Sequence, residues 1–113
     1  MTREKPENII AITVKENNLD SELDDCFGKS HFFFLADIAN KKFEFIKNPG
    51  LESTKFSGKK AALFLVHKGV KTIVSSNFGA HVKQILDKNK IQIVLLSGQF
   101  RFLKDINWLK DII

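Results

Sequence analysis

A chain of 113 residues, 43% of them hydrophobic, is long enough to bury a core in one domain without disulfides or a structural metal. Its single cysteine excludes an intramolecular disulfide, and no apolar stretch reaches transmembrane length. The formal net charge of +5 suits an anionic partner (nucleic acid, phosphate, an anionic cluster or an acidic protein surface) and equally suits a solvated basic face.

Residues 1–6 are polar and lack a signal-peptide pattern, so a cytoplasmic protein is expected. Residues 8–14 are rich in β-branched side chains and predict a buried first strand. The polar segment 15–30, with Glu16, Asp20, Glu22, Asp24 and Asp25, reads as a long, solvated loop. Residues 31–38 predict a second strand, 39–42 a hairpin turn, and 43–47 a third strand antiparallel to the second. Asn48-Pro49-Gly50 ends that strand. Ser57 is the expected N-cap of a helix over 58–68, with Gly69 at its C-cap. Residues 70–75 predict a fourth strand, Asn77 the cap of a helix from Phe78 to Lys88, and 91–96 a fifth strand. Leu103, Ile106, Leu109 and Ile113 predict a final amphipathic helix over 99–112.

The order β-β-β-α-β-α-β-α predicts one α/β domain spanning 1–113, with its core in 8–96. A hairpin followed by βα units fits a mixed five-stranded sheet ordered 3-2-1-4-5, with strand 2 antiparallel, as in the three-layer ribonuclease-H-like fold. Strands 1 and 4 are then neighbours whose connections leave in opposite directions. That is a switch point, where ligands bind beyond the carboxyl ends of strands. The 15–30 loop, the start of strand 2, the 48–58 segment and the turn after strand 4 all reach that rim.

The rim carries chemistry. Cys26 lies five residues before His31, and thiolate and imidazole are both metal ligands. His81 begins the second helix and is a third candidate. The helix start at Asn77-Phe78-Gly79 offers backbone amides and a positive dipole end to an anion. Ser57-Gly58-Lys59-Lys60 offers a second such start with two cations. Strands 1 and 4 contain no carboxylate, and Asp37 falls at the opposite edge, which argues against a magnesium-dependent nuclease.

Over roughly residues 8–96 the chain resembles the dinitrogenase iron–molybdenum cofactor biosynthesis family. The likeness rests on residues 10–15 (Ile-Ala-Ile-Thr-Val-Lys), Cys26-Phe27-Gly28-Lys29-Ser30, the Phe-rich strand ending at Asp37, Lys68-Gly69-Val70, Phe78-Gly79 and Ile85-Leu86. The family motif is normally His-Phe-Gly; here Phe27 and Gly28 match, and Cys26 stands in place of the histidine. The resemblance implies a ribonuclease-H-like, non-enzymatic protein that binds or carries a metal–sulfur cluster, iron–sulfur or molybdenum-containing. Cys26, His31 and His81 are then the candidate ligands. Phe27, Gly28, Ser57, Lys59, Asn77 and Gly79 are the candidate cofactor contacts. One cysteine cannot supply the four thiolates of a permanent iron–sulfur site. A bound cluster is therefore expected to be weakly anchored and passed from a donor or to an acceptor protein, or shared across a homodimer. The alternative is a non-catalytic nucleic-acid-binding or protein-interaction domain. The chain has no basic motif interleaved with exposed aromatics to favour nucleic acid.

Overall fold

The computed structural model describes residues 8–53, 55–96, 98 and 100–109. Its strands are β1 (Ile9–Val14), β2 (Phe32–Asp37), β3 (Lys42–Lys47), β4 (Val70–Ser75) and β5 (Gln92–Leu95). Two α-helices, α1 (Ser57–His67) and α2 (Ala80–Lys88), precede β4 and β5 respectively. The sheet runs β3-β2-β1-β4-β5. β2 is antiparallel to both β1 and β3, while β4 is parallel to β1 and to β5. This is the expected mixed sheet, in the expected order.

The central strand explains its own composition. Residues Ala11, Ile12, Thr13 and Val14 of β1 are all buried, because the sheet is covered on both faces. Along β2 the pleat alternates: Phe33 and Leu35 join the core beneath the helices, and Phe34 and Ala36 join the core on the opposite face. Both crossovers, β3 to β4 and β4 to β5, step the same way across the sheet. Connections of one hand then place α1 and α2 on the same face, and Ala61, Ala62, Leu65, Val82 and Leu86 share one core with Phe33 and Ile73. In the β2–β3 hairpin, Asp37 accepts from the backbone and side-chain amides of Asn40 at 3.3 and 2.9 Å, and Lys41 adopts a positive φ of 53°.

The opposite face is covered by irregular chain. The 15–24 segment does not hang free as expected. Ser21 is buried, and its hydroxyl accepts from the amides of Lys15 and Glu16 at 3.1 and 2.9 Å. Leu23 donates to the carbonyl of Arg101 at 2.8 Å, and Leu103 donates to that of Ser21 at 3.0 Å. Two acids of this segment meet cations nearby: Glu22 with Lys15 and Arg101, and Asp20 with Lys104.

The expected C-terminal α-helix is instead a pair of 3-10 turns, Leu103–Asp105 and Asn107–Leu109; positions 99 and 110–113 of that expectation lie outside the described residues. The cause is in the spacing. Leu103, Ile106 and Leu109 recur every three residues, which matches the 3-10 period of 3.0 as well as one face of an α-helix. Ile106 takes an extended backbone and separates the turns. All three side chains are buried as expected. The amides of Phe102 and Arg101 donate to Asp105 and hold its carboxyl below the usual carboxylate range. No helix among the described residues is long and apolar enough to cross a membrane.

Leu103, fully buried between the sheet and the 15–24 segment, is the anchor of this cover. Leu103→Ala is expected to lower unfolding free energy by about 2–5 kcal/mol in urea titrations, the ordinary range for emptying a buried leucine site.

Candidate functional site

The rim beyond the carboxyl ends of β1 and β4 is assembled by buried hydrogen bonds. Thr13 on β1 and Ser75 on β4 are both buried, with their hydroxyl oxygens 2.8 Å apart. Thr13 donates its one proton to the carbonyl of Asp24 at 2.8 Å, so the Ser75 hydroxyl donates to Thr13. The strand junction thereby grips the start of the Cys26 loop. The Asp24 carboxylate accepts from the amide of Cys26 at 3.3 Å. Beyond it, Cys26 bridges Asn77 in parallel register, with the Phe27 amide donating to the Asn77 carbonyl at 3.2 Å. This bridge sets an exposed thiol beside the turn that leads into α2.

Phe27 turns inward. It is 1% exposed and packs between Phe33 and Phe78, with ring centroids 5.7 and 5.3 Å away. Asn48 then ties the loop to the next segment. Its buried amide nitrogen donates to the carbonyls of Gly28 and Ser30 at 3.1 and 2.9 Å, and its oxygen accepts from Gly50 at 2.8 Å. Lys29 donates to the Ser53 carbonyl at 2.8 Å across the same seam.

Glycines permit the closest approaches. A Cβ on Gly28 would stand 2.9 Å from the nitrogen of Gly58 and 3.0 Å from its Cα. One on Gly58 would stand 2.6 Å from a methyl of Val82 on α2. The Cys26 loop, the start of α1 and the start of α2 are thus in direct contact.

Between them lies a cleft of about 750 Å³, lined by Cys26, Gly28, Lys29, Phe56, Ser57, Gly58, Lys59, Asn77, Gly79, Ala80, His81, Val82, Gln84 and Ile85. That volume falls within the ordinary range for small-molecule sites. Of the residues singled out from sequence, Cys26, Gly28, Ser57, Lys59, Asn77, Gly79 and His81 all line it. Two do not. Phe27 lies in the core, because an unpaired aromatic at a loop end is best buried. His31 points to Asp24 instead, with Nδ1 3.7 Å from the carboxylate. Asn48 and Phe56 are the participants that sequence reasoning missed. The Asn48-Pro49-Gly50 turn signal was the only hint of the first.

The helix starts also differ from expectation. Ser57 is the first residue of α1, not its cap; the cap is Phe56, at φ 59° and ψ 32°. Helix α2 starts at Ala80, with Gly79 as its cap, so Asn77 and Phe78 precede it. No side chain caps either helix, and neither has an acid in its first turn. The first-turn amides of both helices therefore keep their donors and their partial positive charge. A bulky residue in the left-handed region costs roughly 1–2 kcal/mol. At Phe56 that cost comes with a side chain 73% exposed.

The cleft lining includes the cations Lys29 and Lys59 and no carboxylate among the described residues. No group of three or more His, Cys, Asp or Glu among those residues is placed to hold a metal ion. Cys26 and His81 are the soft-metal donors that the cleft does contain.

A mixed α/β protein with an uncapped, cation-lined cleft at the switch point of its sheet is the class these features define. The chain belongs to the dinitrogenase iron–molybdenum cofactor family, which it matches over residues 8–100. No curated protein matches it. Among solved structures it is similar to the apo form of the orange protein from Desulfovibrio gigas, at 24% identity and a TM-score of 0.79, covering 92% of this chain and 88% of that one. It is also similar to a NifB-like protein of the DUF35 family from Thermotoga, at 21% identity and a TM-score of 0.74, covering 87% and 82%. At these identities the likeness is one of fold.

Asn48 joins the loops around the cleft through one buried side chain. Asn48→Ala leaves the carbonyls of Gly28 and Ser30 and the amide of Gly50 without it, and is expected to cost about 2–3 kcal/mol in urea unfolding.

Proposed function

We propose that the protein is a carrier for an anionic metal–sulfur cluster, held in the cleft between the Cys26 loop and the starts of α1 and α2, and that it performs no turnover of its own. The observation that carries this reading is the pair of uncapped helix N-termini opening on one carboxylate-free cleft. First-turn amides, Lys29 and Lys59 together suit a polyanion. The mixed sheet order supports reading the fold as ribonuclease-H-like.

The donor set favours a cluster that brings its own sulfides over a bare metal ion. Two soft donors, Cys26 and His81, can ligate exposed metals at the cluster surface but cannot complete a coordination shell. Such anchoring suits a cargo that is received from a donor protein and handed to an acceptor. Membership of an iron–molybdenum cofactor family supports that cargo class, as does likeness to a structure described as an apo form. The cysteine in place of the family's histidine strengthens binding to thiophilic metals. His31 serves another end, bracing with Asp24 the loop that presents Cys26.

The test is anaerobic loading with tetrathiomolybdate, followed by desalting, absorption spectra and metal analysis. Wild-type protein is expected to retain molybdenum. Lys29→Glu/Lys59→Glu is expected to retain little, and raised salt is expected to weaken loading. Cys26→Ala and His81→Ala should each weaken retention by about tenfold, roughly the loss of one charge-assisted or ligand contact. His31→Ala should retain as much as wild type while unfolding slightly more easily. No retention by wild type would refute the carrier reading, and equal retention by Cys26→Ala would remove the thiol from the ligand set.

A further inference from the structure

Phe56 is held against two preferences at once. Its backbone is left-handed, where glycine or asparagine sits without strain. Its ring, on the rim of the cleft, is 73% exposed, the most exposed large hydrophobic side chain among the described residues. The position does not demand an aromatic for folding. The helix needs only the Phe56 carbonyl, which accepts from the amide of Lys60 at 2.9 Å, and any residue supplies that group. Strain and apolar exposure that serve no local purpose, collected at the mouth of a binding cleft, point to a ligand contact.

The rest of the lining indicates which property of the ligand the ring reads. Charge attraction comes from the helix starts, Lys29 and Lys59, and these serve an oxyanion as well as a sulfide-faced one. Apolar side chains form much of the remaining wall: Val82, Ile85 and Ala80 share the cleft with Phe56, beside the polar Asn77 and Gln84. A hard oxyanion would have to shed tightly held water to lie against such walls. A sulfide-faced anion is larger, more polarisable and more weakly hydrated, and sulfur packs favourably at aromatic ring edges.

We propose that Phe56 is the specificity-determining residue of the cleft, its ring closing over the bound anion and selecting sulfide-faced over oxide-faced anions. This rests on the carrier reading above and adds to it the residue that sets selectivity. The strained backbone fixes the ring at the mouth, where a glycine would leave the cleft open.

The experiment compares wild type, Phe56→Gly and Phe56→Tyr in thermal melts and in anaerobic titrations with tetrathiomolybdate and with molybdate. Wild type is expected to favour tetrathiomolybdate. Phe56→Gly should melt higher, by about 2–5 °C, because the left-handed strain is relieved. It should also bind tetrathiomolybdate about five- to tenfold more weakly, the scale of one lost aromatic contact, with molybdate binding unchanged. Phe56→Tyr, which keeps the ring, should keep the selectivity. If wild type binds tetrathiomolybdate and Phe56→Gly binds it equally well, the assignment fails while the carrier reading stands. A lower melting temperature for Phe56→Gly would make the ring a structural element and overturn the assignment. A wild type that binds both anions alike overturns it too. A wild type that binds neither refutes the carrier reading and the assignment together.

Discussion

Backbone lies against backbone where Gly28 meets Gly58, and the shape of the cleft follows from that contact. Any side chain at Gly28 would press into the first turn of α1 and drive the Cys26 loop from the helices. With none there, the loop seats on the helix start, and Asn48 fastens it through the carbonyls on either side of Lys29. Phe27 acts from below, its ring gripped by Phe33 and Phe78. The thiol of Cys26 is therefore presented by a segment clamped immediately after it, although the residue itself is exposed.

The charge pattern follows the same architecture. Asp20 and Glu22 of the 15–24 segment are matched by Lys15, Arg101 and Lys104 on the far side of the sheet. The cleft side keeps its lysines and its helix dipoles without acidic company in the first turns. Lys29 and Lys59 therefore face the cleft with no carboxylate in its lining among the described residues. Surface pairs of the first kind contribute little stability, so their main effect is on where the field points.

Strand order was legible because the β-branched runs and the hairpin signal at 39–42 are strong local patterns, and the element order they define fits a sheet ordered 3-2-1-4-5. The convergence of Cys26, His81 and the two helix starts was legible from that order alone. What escaped was set by contacts between distant segments. Ser57 and Asn77 carry the chemistry of caps, yet the backbone turns one residue earlier at the first helix and two residues later at the second, and both caps lack a side-chain acceptor. Asn48 reads as a turn former, and nothing local announces that its amide reaches a loop 20 residues upstream. Phe27 and His31 look like site residues in a linear motif. In three dimensions one belongs to the core and the other to Asp24. At the C-terminus, a spacing of three fitted two kinds of helix, and burial against a sheet chose the tighter one.

The two faces of the sheet are covered by different materials, and they should open differently. Two packed α-helices guard the cleft side. The far side is closed by irregular chain stitched through a few hydrogen bonds, those between Leu23 and Arg101 and between Ser21 and Leu103 among them. Partial unfolding begins where few bonds must break together, so the far cover can lift as a unit while the helices stay seated. Such an opening would run toward Cys26 from upstream and halt at Asp24, whose carbonyl is held by the Thr13–Ser75 hydroxyl pair inside the sheet. Those two hydroxyls act as a firebreak, separating the cover that can lift from the rim that presents Cys26.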